Sequence, residues 1–252
     1  MDPHRGKRFA VSGLLLALLT VGSAGSAMAG SAVDASRFRT ELAVEYLRQD
    51  NLREALASAE TAVQEDPANV AAYLVHAHIL QLLKLDGRAE QSFKKALQLA
   101  PDGPEANNNY GWFLCTRNRM AEALPHFAKA LADPLYDTPQ IAQANWGMCL
   151  AKLGRDEEAN EHLLAALKAA PDYPLALKEL ARLQLEQGNA RLASFYFQRL
   201  LRVAQLATPE DLMLGVRVAH AAGDQSLETL LSDRLKQRFP DSKETQQLLM
   251  GS

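Results

Sequence analysis

Asn108-Asn109-Tyr110-Gly111-Trp112-Phe113-Leu114 opens a stretch that continues through Ala123, Phe127 and Ala130 to Pro134. A bulky residue beside a very small one, then a small residue, an aromatic, another small residue and a closing proline describe two helices packed at close range. Gly111 and Ala123 let the helices approach where larger side chains would block them. Phe127 fills the space toward whatever follows, and proline cannot continue a helix and so marks the hand-over.

The same set recurs outward in both directions. Pro67 and Pro101 are 34 residues apart, and Pro171 lies 70 beyond Pro101, two periods plus two residues. Counting back from each closing position gives Leu42-Ala43, Tyr46, Ala55, Ala59 and Ala62, then Ala77, Leu80, Ala89, Phe93 and Ala96. After the central copy, in which Pro134 falls one place early, come Trp146-Gly147, Leu150, Ala159, Leu163 and Ala166, and then Leu180-Ala181, Ala193, Phe197 and Leu200. The sixth copy is degraded. Gly215, Ala219, Leu235 and Pro240 fit, and Glu228 and Ser232 are expected to replace its packing residues. A 34-residue period with these positions is the tetratricopeptide-repeat (TPR) pattern. The expected fold is an all-α, right-handed superhelix of about six helix-turn-helix repeats with no strand. First helices should line its concave face, and each repeat should touch only its neighbours.

The repeats are expected at 36–69, 70–103, 104–139, 140–173, 174–208 and 209–242, with a polar C-terminal cap over 243–252, all in one solenoid domain spanning 30–252. Gly154 and Gly188 sit between paired helices, where a left-handed residue ends the first. The two extra residues fall in the turn Asp133 to Pro139. Pro125 lies inside a second helix, where it should cost ~3 kcal/mol unless the helix kinks.

Residues 1–29 read as a secretory signal peptide. His4, Arg5, Lys7 and Arg8 precede the apolar run Phe9 to Gly22, and Ala27-Met28-Ala29 has the form of a cleavage site before Gly30. No cysteine lies near the end of the apolar run, so the lipid-attachment box of a bacterial lipoprotein is missing. The expectation is a periplasmic chain, without a lipoprotein anchor in the outer membrane. From Gly30 onward there are 24 basic and 29 acidic residues, so no global basic field invites nucleic acid.

Composition supports helices: 48% of residues are hydrophobic but only 6% aromatic, which suits close helix packing better than a β-sandwich. Nothing points to catalysis, a metal, a cofactor or a small-molecule substrate. No nucleotide-binding or metalloprotease motif is present, and His76 and His78 project about 200° apart on a helix. Cys115 and Cys149 are expected as buried free thiols, because the two-residue insertion sets Cys149 two places earlier in its repeat. The concave surface remains as the candidate partner-binding face. Its lining residues are expected to be Leu74 and His78 in repeat two, Asn108, Trp112 and Thr116 in repeat three, and Met148 in repeat four. Trp112 could equally pack against a neighbouring first helix.

Asn108 to Leu114 also resembles the N-N-Y-G-x-F-L signature of the PilF/PilW family of type IV pilus biogenesis proteins. Leu214-Gly215-Val216-Arg217-Val218-Ala219 is similar to that family's L-G-I-R-L-A segment, and Leu235 to Glu244 to its closing L-K-x-x-[FY]-P-x-S-x-E. The resemblance covers about residues 36–248. It implies a pilotin: a protein that binds secretin subunits or other pilus-assembly proteins and promotes secretin assembly, with outer-membrane association. Members are normally outer-membrane lipoproteins, from which this chain departs. The rival expectations are a generic periplasmic TPR adaptor in cell-envelope or exopolysaccharide assembly, and an accessory subunit that docks an enzyme.

Overall fold

The computed structural model describes the backbone of residues 22–250 and side chains from residue 30 onward. The basic segment and most of the apolar run of the expected signal peptide therefore lie outside the described residues. Thirteen helices and no strand occur among the described residues.

Twelve of the helices form six antiparallel pairs: α1 (Gly22–Arg48) with α2 (Leu52–Glu65), α3 (Val70–Leu82) with α4 (Asp86–Leu99), α5 (Pro104–Thr116) with α6 (Met120–Ala130), α7 (Pro139–Lys152) with α8 (Asp156–Ala169), α9 (Pro174–Glu186) with α10 (Ala190–Val203), and α11 (Pro209–Ala222) with α12 (Gln225–Arg238). The short α13 (Lys243–Met250) packs across α11 and α12. Each first helix packs against the next first helix along the array, whereas among the described residues the backbones of successive second helices stay apart, Arg88 of α4 reaching Glu60 of α2 at 2.7 Å only through its long side chain. First helices are therefore the closer-spaced row, and the array curves with that row inside.

Small residues account for the close pairing. Ala43, Ala55, Ala59, Ala77, Ala89, Ala123, Ala159, Ala181 and Ala193 are fully buried. A side chain at Gly111 would meet Phe127 Cε1 at 3.0 Å, and one at Gly147 would meet Leu163 Cγ at 2.8 Å. Phe93, Phe113, Phe127, Leu163 and Phe197 fill the space between repeats.

The turns inside each pair use left-handed backbone. Gly154 and Gly188 have φ of +71° and +79°, and the earlier repeats place Asp50, Lys84 and Asn118 there with φ of 56°, 62° and 60°. Those three side chains pay for a conformation that glycine adopts freely. In the sixth pair the left-handed residue is Gly223. Four first helices begin on a proline (Pro104, Pro139, Pro174, Pro209), where the missing N–H has no intrahelical partner to lose. α6, which contains Pro125, has 11 residues against 14 in every other second helix.

Two expectations need correction. The sixth repeat is not degraded at its packing positions: Leu231 and Leu235 are buried and Leu227 packs against the same core. Leu227 and Leu231 follow Gly215 at the spacing by which Ala123 and Phe127 follow Gly111, so Glu228 and Ser232 are simply their outward neighbours. Cys115 and Cys149 are not free thiols but form a disulfide, with Cα atoms 5.8 Å apart. They sit on the seam where α5 lies against α7. Residues that face each other across such a seam need not hold equivalent stations in their repeats, so the two-place offset is no obstacle.

Candidate partner-binding groove

The inner row of first helices presents a furrow whose floor begins apolar. Val44, Leu47 and Arg48 of α1, Leu74, Val75 and His78 of α3 and Asn109 of α5 line its first part. Leu74 is half-buried and His78 exposed. Trp112 and Met148, farther along the same row of first helices, are both half-buried. Trp112 packs one edge into the cluster containing Phe113 and the disulfide, while Lys152 Nζ stands 5.6 Å from its ring centroid. The indole thus serves the core and still offers an aromatic face under a cation. Thr116 is also half-buried; its hydroxyl donates to the Phe113 carbonyl at 2.8 Å and accepts from Gln81 Nε2 at 3.4 Å.

Asn108 departs from expectation. It is only 3% exposed, and Asn145 Nδ2 donates to its Oδ1 at 3.0 Å. Its own amide donates to Asn109 Oδ1 at 3.2 Å. Asn108 therefore ties α5 to α7 on the seam that also holds the disulfide, and its amide is not free to meet a bound backbone. The neighbouring Asn109 faces the furrow instead. Spacing alone placed residue 108 on the face of Trp112 but could not tell how much of that face the next first helix consumes. Val44, Leu47 and Arg48 were missed for a different reason: the first repeat has no aromatic or glycine landmark near them.

Further along, the row of first helices becomes ionic. Lys178 Nζ pairs with Asp211 at 3.2 Å, and Arg182 joins Glu179 at 2.8 Å and Glu186 at 2.9 Å. Beyond these pairs Leu185, Met213, Val216 and Leu248 form a second apolar hollow rimmed by Arg217, His220 and Glu228. Helix α13 supplies Leu248 and so closes that end. Two apolar stretches separated by internally neutralised charge suit a peptide that lays apolar side chains against the ends, the helix-in-groove mode.

The strongest ionisation shifts lie off this furrow. Lys94 first, then Arg119 and Tyr110, hydrogen-bond the Glu90 carboxylate and hold its pKa at about 2, against burial. Burial first, and then that same carboxylate, pushes Tyr110 to about 12. Tyr110 Oη donates to Glu90 Oε1 at 3.0 Å, and Arg119 reaches Glu90 at 3.0 Å. This bracket pins α4 against the third repeat, which accounts for the shifts by structure alone. Burial lowers the pKa of His76, His126 and His162. Their Nδ1 atoms lie 3.0 Å from Ser92 Oγ, 2.9 Å from Asn107 Oδ1 and 2.7 Å from Gln143 Oε1 respectively.

A tetratricopeptide-repeat family profile matches residues 40–104 and 87–138. The type IV pilus assembly protein PilF of Pseudomonas aeruginosa is 25% identical over 207 residues, 82% of each chain. The solved structure of P. aeruginosa PilF superposes with a TM-score of 0.75 over 88% of this chain and all of that one, at 23% identity. The crystal structure of PilW, described as a widely conserved type IV pilus biogenesis factor, superposes with a TM-score of 0.76 and 44% identity, covering 85% of this chain and 98% of that one. Identity at that level over nearly the whole of PilW, with the two folds superposing, means that the chain belongs to the PilF/PilW family of TPR proteins of type IV pilus biogenesis.

Proposed function

We propose that this chain acts as a pilotin in the periplasm: it binds subunits of the pilus secretin in the furrow of its first helices and promotes their assembly in the outer membrane. The observation that carries this reading is the 44% identity to PilW over 98% of that chain. The furrow supports it with apolar surface left half-buried in the free protein, from Leu74 through Trp112 to Met148. Such surface is stable in water yet gains when a partner's side chains cover it. Trp112 is the expected anchor, because a large aromatic at the centre of an interface contributes disproportionately. Leu74, His78, Thr116 and Met148 surround it. Export by the residue 1–29 segment belongs to the same proposal and places the furrow in the secretin's compartment.

The test is Trp112→Ala combined with Met148→Ala, assayed for binding to purified secretin fragments and for secretin multimers in a strain lacking the wild-type gene. Binding should weaken by roughly 2 kcal/mol, about thirtyfold, and multimers should fall. If the double variant keeps its helicity and binds the secretin with unchanged affinity, the furrow is not the site.

A further inference from the structure

The outer surface reverses its charge between two neighbouring second helices. α8 carries Asp156, Glu157, Glu158 and Glu161 against the single cation Lys168, a net of −3. α10 carries Arg191, Arg199 and Arg202 with no acidic residue, a net of +3. Both helices also hold apolar side chains in water: Leu164 is 41% exposed, Leu192 46% and Phe195 52%. Phe195 is fixed by its neighbours, with the Arg199 guanidinium 5.7 Å from its ring centroid and Tyr196 in edge contact at 5.2 Å. A ring held in this way loses little freedom when something covers it.

Part of the charge is satisfied within the chain. Arg155 bridges Glu158 at 2.6 Å, and Arg199 reaches Asp172 at 3.6 Å. Glu157, Glu161, Arg191 and Arg202 form no ion pair among the described residues, and all four are exposed. Glu157 and Arg191 are 34 residues apart, as are Glu161 and Phe195, so each pair holds one station in successive repeats.

We infer that this face pairs with the same face of a second copy of the chain. A twofold axis lying in the contact plane, parallel to α8 and α10 and midway between them, sets α8 of each copy over α10 of the other. Glu157 then faces Arg191 of the second copy, and Arg191 faces its Glu157, so the two contacts form together. In the same register Glu161 comes over Phe195 of the opposite α10, Leu164 over Gln198, and Leu192 over Glu158. A closed twofold pair needs such self-complementarity, and two adjacent helices of opposite sign supply it. An anionic lipid surface fits less well, because α8 would be pressed against it along with α10.

The pair is weak. Lys168 stands opposite Arg202 at the far end of the helices, which limits close contact to their first three turns. That leaves a footprint of roughly 15 Å by 20 Å, below the size of stable specific interfaces, so the pairing is transient. Pairing on the outer face leaves both inner furrows open, so the dimer would present two partner sites.

Sedimentation velocity on the full mature chain up to ~0.5 mM, at low and high salt, tests this. A concentration-dependent monomer–dimer equilibrium is expected, with affinity falling about tenfold or more at high salt. Arg191→Glu should weaken it by about tenfold, and adding Glu157→Arg to that variant should restore it, because the swap recreates both contacts. Phe195→Ala should weaken pairing while leaving the thermal melt in place. A wild type that stays monomeric throughout overturns the inference, as does a charge swap that fails to restore pairing. So does a monomer that binds phosphatidylglycerol vesicles through Arg191, which would assign the face to lipid.

Discussion

Gly215 is where one added methyl group should do most harm. A Cβ there would overlap Phe197 Cζ and stand 2.6 Å from Leu231 Cδ1 and 2.8 Å from Phe197 Cε1. Phe197 is fully buried and Leu231 is 1% exposed, so neither can swing into solvent. Replacing glycine by alanine within a helix gains ~1 kcal/mol of propensity. Overpacking a buried site costs ~1–3 kcal/mol and sometimes more, and two side chains from separate helices are struck at once here, which argues for the upper end. The net expectation for Gly215→Ala is a loss of about 2 kcal/mol, a melting temperature lower by about 4–8 °C for a chain of this size. Gly111→Ala should be milder, since its Cβ would meet Phe127 Cε1 at 3.0 Å and the Ala123 carbonyl oxygen at 3.3 Å. Gly87→Ala is the control: it lies in the first turn of α4 with nothing within 4 Å and should be neutral or stabilising. Thermal melts and urea titrations followed by circular dichroism would rank the three. A Gly215→Ala protein as stable as wild type, or more stable than Gly111→Ala, would refute the argument that close approach fixes this position.

Two further outcomes concern stability. The Cys115–Cys149 bridge closes a separation of 34 residues, so replacing both by alanine should cost about 3–4 kcal/mol by loop entropy, read as a lower urea midpoint; an unchanged midpoint would show that the bridge adds nothing. His76, His126 and His162 have folded-state pKa values held down by burial, whereas the unfolded chain takes up protons near the ordinary value of 6.5. Their contribution is complete above that value and lost as pH falls through it, so the melting temperature should drop between pH 7.5 and 5.5. A rise over that interval in the wild type, or no change, contradicts the assignment.

The helical array was legible in the sequence because its determinants are local and repeated. Gly111, Gly147 and the buried alanines recur at fixed intervals since each pair of helices must approach equally closely, and one miscounted step at Glu228 does not disturb that pattern. The left-handed turns were legible at Gly154 and Gly188 but not at Asp50, Lys84 and Asn118, where an ordinary side chain bears the strain. Only the tertiary structure decided what happens on the seam between first helices. Spacing along one helix fixes which residues share a face, but not how far the next helix covers it. The packing of α5 on α7 consumed Asn108 and joined Cys115 to Cys149, and it left Asn109 on the furrow and Trp112 and Met148 half-buried. The charge reversal between α8 and α10 was likewise written in the sequence, but it became a surface only when the curvature of the array turned both helices outward.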